Sequence, residues 1–195
     1  MSTTNASSRR FIRLSKAAQP FLLVALGGIL TLAAQWLATS ATHSQVKLQA
    51  AIERRESALE YTDSLGRLWM RRVLAASDYA RAVMDGEPEI VRHSKQEAYV
   101  SARNAFLIEQ PILIARGHDF FGEEFKDLLV YKGFGKLDLL DKFVAIAEDQ
   151  GRSFNAVEFD EAEKDAYLFG GHLIGVATRK VRDATIAPPI LVYGS

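Results

Sequence analysis

Four histidines, at positions 43, 93, 118 and 172, are the side chains best suited to proton transfer near neutral pH or to ligating a transition metal. No two stand four apart, the spacing that stacks two imidazoles on one helix face. His118 with Asp119 and Glu123 is the densest cluster. An imidazole with two carboxylates suits a divalent cation; the plainer reading is a capped helix start, with acids where the helix dipole favours them. The second reading is preferred, and no metal or cofactor is expected. His172 sits in an uncharged stretch and is expected to be a hydrogen-bonded core histidine.

Two short motifs fail on inspection. Gly133-Phe134-Gly135-Lys136 has Val130 where a phosphate loop needs its first glycine and Leu137 where it needs Ser or Thr. Ser44-Gln45-Val46-Lys47 matches a serine–lysine nucleophile pattern, but neither companion motif accompanies it. The chain has no cysteine, which removes thiol chemistry, disulfides and Cys-ligated metals. The acidic run Glu158, Asp160, Glu161, Glu163 and Asp165 could suit a basic partner or a cation, but the preferred reading is a solvated helix start favoured by the dipole.

Arginines give the remaining candidate. Arg71, Arg72 and Arg103 fall within mainly apolar segments. They are the candidate ligand-binding residues for a small anion held between helices. The structural alternative is buried Arg–Asp pairing, for example Asp78 with Arg81 or Arg103.

The elements that carry these residues are organised around one stretch. Residues 17–42 read AAQPFLLVALGGILTLAAQWLATSAT and hold no charge. A bilayer core of about 30 Å needs roughly 20 apolar residues at about 1.5 Å rise each. The stretch therefore reads as a single transmembrane helix, with Pro20 in its first turn and Trp36 near its far interface. Arg9, Arg10, Arg13 and Lys16 precede it without an acidic residue among them. The positive-inside rule then makes residues 1–16 a basic cytoplasmic tail and sends the remainder across an inner, cytoplasmic membrane into the periplasm. The rival is a signal peptide cleaved near Thr39-Ser40-Ala41, giving a secreted helical protein; the apolar stretch exceeds the usual h-region of about 7–15 residues. Gly27, Thr31, Gln35 and Ala38 share a face of this helix, which serves either as a helix–helix interface or as part of an isolated anchor.

Beyond the stretch, apolar residues recur at steps of three and four. Leu48, Ile52, Arg55, Leu59, Thr62, Leu65, Trp69, Val73, Ala76, Ala80 and Val83 mark one face of a helix over 44–85, with no breaker between Trp36 and Leu48. A second helix is expected over 88–116 with a kink or break at Pro111. A third spans 118–132 and is capped by Asp119, Gly133–Gly135 form a turn, and a fourth spans 136–149. A fifth covers 160–187 from a capping-box start at Asp160, with Gly171 and Gly175 admitting a close neighbour. Pro188-Pro189 stop it, and the tail 188–195 is apolar enough to dock on a surface.

The expected fold is thus all-α: one transmembrane helix followed by a four- or five-helix extracytoplasmic bundle over 43–187. Four of the 24 basic residues precede the span, so the portion C-terminal to it is mildly acidic. That argues against a nucleic-acid partner. With no convergent catalytic set, the expected function is a non-enzymatic, membrane-anchored interaction module. It would work through helix–helix contacts with another membrane protein or with itself. A sensor-like bundle that binds a small anion is the alternative.

Overall fold

The chain is described by a computed structural model, which covers residues 19–151, 154 and 156–183; the side chains of 19–26 and of Ser44 lie outside the description. The described residues are all-α, without a strand. The helices are Gln19–Met84 (α1), Glu89–Phe121 (α2), Glu123–Asp127 (α3), Gly135–Gln150 (α4) and Ala156–Arg182 (α5), with a π-helical segment Leu128–Phe134 between α3 and α4. The chain divides into two units, Met1–Ala51 and Ile52–Ser195.

The first unit contributes the N-terminal part of α1. Its described side chains are exposed. Three hydroxyls are satisfied inside the helix: Thr31, Thr39 and Thr42 each donate to the carbonyl four residues earlier, at 2.8, 2.8 and 2.9 Å. Among the described residues no helix is long and apolar enough to cross a membrane. The most apolar part of the predicted span, Phe21 to Leu26, lies outside the described side chains.

The second unit is a helical bundle. Its core is built on the stripe of α1 that the apolar spacing picks out: Ala58, Tyr61, Leu65, Trp69, Val73, Ala76 and Ala80 are buried. Leu59 stays largely exposed, so the seam narrows to the side that meets the other helices. From α2 come Ala102, Phe106 and Leu113, from α4 Leu137, Leu140 and Val144, and from α5 Phe159, Ala166, Leu173 and Ala177. Trp69 is the largest fully buried side chain. Its ring packs on Phe106 and Phe169 with centroids 6.1 Å away in each case, and its indole N–H donates to the Ala166 carbonyl at 2.9 Å.

Glycines make that seat possible. A Cβ at Gly170 would fall 2.4 Å from the Trp69 ring, and one at Gly133 would fall 3.1 Å from Phe169 and 3.2 Å from Trp69. The expected close approach at Gly171 and Gly175 is therefore corrected: neither has a neighbour within 4 Å of an added Cβ, and Gly170 is the contact residue. Gly133 belongs to the π-helical segment rather than to a turn, because the wider coil lets its bare backbone lie against the indole.

Other boundaries also differ from expectation. α2 runs through Pro111 to Phe121, since Pro111 faces outward, where the missing N–H costs the core nothing. The stop comes at Gly122, whose φ of 83° suits glycine. Asp119 thus lies inside α2 and caps nothing, and Gly117 is buried in the helix, where an added Cβ would sit 2.6 Å from the Tyr61 hydroxyl oxygen. α5 begins at Ala156, so Asp160 is internal rather than a cap. The predicted stop at Pro188 and the tail 188–195 lie outside the described residues.

Replacing Gly170 with Ala is expected to cost about 1–3 kcal/mol through overpacking against Trp69. Gly171→Ala is expected to leave stability unchanged or raise it by about 0.5–1 kcal/mol. Urea unfolding followed by circular dichroism separates the two outcomes.

Candidate functional site

Polar groups in the second unit converge on α4. Asp141 accepts from Arg72 of α1 at 2.7 Å and from Arg103 of α2 at 2.8 Å, so one carboxylate ties three helices. The Arg72 side chain is 3% exposed and that of Asp141 14%. Asp138 lies 3.8 Å from Arg72, and the guanidinium carbon of Arg72 sits 5.0 Å from the Phe106 ring centroid. Two arginines thus face two aspartates. The local charge balances, which leaves little attraction for a further anion.

Two tyrosines extend this seam. Tyr79 and Tyr99 stack with centroids 6.0 Å apart. The Tyr79 hydroxyl donates to Glu148, which also accepts from Gln96 at 3.1 Å. Burial raises both phenols above the ordinary tyrosine range; Glu148 raises Tyr79 further, and Asp141 raises Tyr99. Tyr61, at the other end of the core, is raised by burial as well, while its hydroxyl donates to the Leu113 carbonyl at 2.9 Å.

The candidate ligand residues are therefore divided. Arg72 and Arg103 come together, on a carboxylate that binds them both. Arg71 is exposed and opens instead on a groove of about 610 Å³ between α1 and α2, with Arg67 and Lys95 at its edge and Met70, Leu74 and Ala75 as apolar lining. Arg67 is paired with Asp63 at 2.8 Å and Lys95 with Glu87 at 2.8 Å. The pairing of Asp78 with Arg81 or Arg103 is corrected: Arg81 binds Asp160 at 2.9 Å and Glu163 at 2.6 Å, because the acidic run of α5 packs beside α1.

The histidines do not gather. His172 is exposed beside Phe169 rather than a core residue, since α5 turns Gly170 and Leu173 inward. His118 lies 3.1 Å from Glu123, but Lys126, 2.6 Å from the same carboxylate, is the main group holding Glu123 below the ordinary range. Among the described residues no three His, Asp or Glu side chains are grouped to hold a metal. Gly27, Thr31, Gln35 and Ala38 lie exposed in the helical first unit.

Sequence reasoning missed Asp141 and Glu148. Each stands three or four residues from another polar residue and reads as part of a solvated face; only the third dimension sets them against arginine and tyrosine. It also missed the outer side of α2, where Val100, Leu107, Ile108 and Ile112 are exposed. No protein-family model, curated protein or solved structure matches the chain.

Asp141→Ala is expected to destabilise the bundle by about 3 kcal/mol, because it leaves the buried Arg72 with only the exposed Asp138, 3.8 Å away, as a partner. The double change Arg72→Met with Asp141→Leu should recover most of that loss in the same unfolding assay.

The raised phenols set the alkaline limit. An unfolded tyrosine loses its proton near pH 10, whereas the folded ones hold theirs. Their stabilising effect is complete below about pH 10 and is lost as pH rises above it. Melting temperatures measured from pH 8 to 11 should fall at the alkaline end, and Tyr79→Phe with Tyr99→Phe should flatten that fall.

Proposed function

We propose that this chain is a non-enzymatic, single-pass membrane-anchored helical module. Its bundle acts through helix–helix contacts with another membrane protein or a second copy. The observation that carries the reading is the uncharged stretch 17–42 behind Arg9, Arg10, Arg13 and Lys16. The N-terminus is cytoplasmic and the bundle periplasmic. Back-bonded Thr31, Thr39 and Thr42 hydroxyls suit a helix in an apolar medium, where each unsatisfied donor is costly. Two features support contact rather than chemistry as the role of the bundle. Its deepest charges are spent joining its own helices. Its second helix, meanwhile, keeps large apolar side chains in solvent.

One observation favours the anion-binding alternative in a narrower form. Arg71 is exposed in a groove lined by Met70, Leu74 and Ala75, with Asp78 also on its wall, whereas Arg72 and Arg103 are both bound to Asp141. A thermal-shift screen of the full chain in detergent against inorganic phosphate and short-chain carboxylates tests it. A rise in melting temperature that Arg71→Ala abolishes would support this form, and a flat response would remove it.

For the leading reading, affinity purification of the full chain in mild detergent should recover a stoichiometric partner or a homo-oligomer. Leu107→Asp with Ile108→Asp should reduce that recovery at least tenfold while leaving helicity intact. A clean monomer without a companion protein would contradict it.

A further inference from the structure

The outer face of α2 carries an internal pattern that fits a particular partner. Buried residues of α2 (Tyr99, Ala102, Phe106, Leu113) lie on one side of the helix. On the opposite side, Val100, Leu107, Ile108 and Ile112 are exposed, Ile108 by 73%. From Val100 to Ala115, about 22 Å at helical rise, no charged residue interrupts the centre of this stripe.

Two polar features break its apolar character. Pro111 stands on the stripe inside the helix and has no N–H, so the Leu107 carbonyl has no helical donor to accept from. Asn104, one turn before Leu107 on the same face, is exposed and makes no side-chain hydrogen bond among the described residues. A free carbonyl and a free amide on one apolar face are poorly suited to hydrocarbon, which satisfies neither.

They suit each other across a two-fold axis. If two α2 helices lie antiparallel with the axis between Leu107 and Ile108, then Leu107 faces Ile108, Val100 faces Ala115 and Asn104 faces Pro111. The Asn104 amide of each copy then meets the turn where the Leu107 carbonyl of the other is unpaired. At both ends Glu97, which lies 3.3 Å from His93, comes opposite His118, which lies 3.1 Å from Glu123, so each end joins a mixed cluster of acids and imidazoles. Such a face is complementary to itself, the condition for an isologous dimer. We propose that the outer face of α2 is a homodimerisation surface, with antiparallel pairing about Leu107–Ile108 and reciprocal Asn104 bonds to the carbonyl that Pro111 frees. The proposal rests on the helix–helix reading of the proposed function and names its partner as a second copy.

The absence of native cysteine makes the register directly measurable. The full chain in mild detergent, treated with a short bis-maleimide, should cross-link as Ile108→Cys, whose thiols flank the axis. Val100→Cys and Ala115→Cys should each stay uncross-linked alone and should cross-link when mixed. Light scattering should give twice the chain mass, and Asn104→Ala should raise the dissociation constant about tenfold, two hydrogen bonds being lost by symmetry. Cross-linking of Val100→Cys alone as strongly as Ile108→Cys would show parallel pairing and overturn the proposal. So would a monomer at every concentration. A monomer that still brings down a different protein overturns self-pairing while leaving the helix–helix reading in place.

Discussion

The second unit is packed around the buried indole of Trp69. Its indole lies directly against helix backbone, and it is accommodated because Gly170 and Gly133 present no Cβ there. This has three consequences. The indole N–H finds the Ala166 carbonyl, so a polar group in the deepest position is satisfied. α5 is held in the rotation that turns Gly170 and Leu173 inward and leaves His172 and Gly171 outside. The segment between α3 and α4 is drawn into a π-helical coil that brings Gly133 to the ring, which sets where α4 begins and so where Asp141 lies.

The polar seam is built on that placement. With α4 fixed against α1, Asp141 comes within reach of both Arg72 and Arg103, and Glu148 within reach of Tyr79 and Gln96. Removing a buried guanidinium from water is expensive, and the pairing offsets rather than exceeds that cost. The seam therefore contributes specificity of register more than net stability: α1, α2 and α4 can slide only by breaking charged contacts. This also bears on function. Arginines already committed to aspartate have little left for a ligand, so the reactive surface of the bundle moves outward to the helix faces.

Much of this was legible in the sequence. The period of three and four on α1 marks the stripe from Thr62 to Val83 that meets the core, because local spacing sets which face of a helix is apolar; Leu48, Ile52 and Leu59 continue the same spacing but stay exposed, because no other described helix covers them. The all-α class came from the same periodicity. The errors arose where a local rule was outweighed by a tertiary contact. Pro111 breaks a helix in isolation but is tolerated on an outer face. Gly133-Phe134-Gly135 has turn composition, yet its packing against Trp69 and Phe169 keeps it coiled. Gly171 with Gly175 forms the familiar small-residue pair, but the rotation of α5 is set by Trp69 and selects Gly170. Arg72 and Arg103 were recognisable as cations within apolar segments, although only Arg72 is buried. Their partner was not, since Asp141 lies 69 and 38 residues away along the chain.

Anchorage is the claim on which the functional account turns, and the intact mass of the membrane-bound protein tests it most directly. After alkaline carbonate extraction of isolated membranes, the account predicts that the chain stays in the pellet at its full 21.6 kDa. It also predicts that a single thiol placed at Tyr131, which is exposed and lies off the outer face of α2, is labelled by a membrane-impermeant maleimide from the extracytoplasmic side only. Release into the supernatant, or a mass short of roughly the first 40 residues as expected for signal-peptide cleavage, would contradict it.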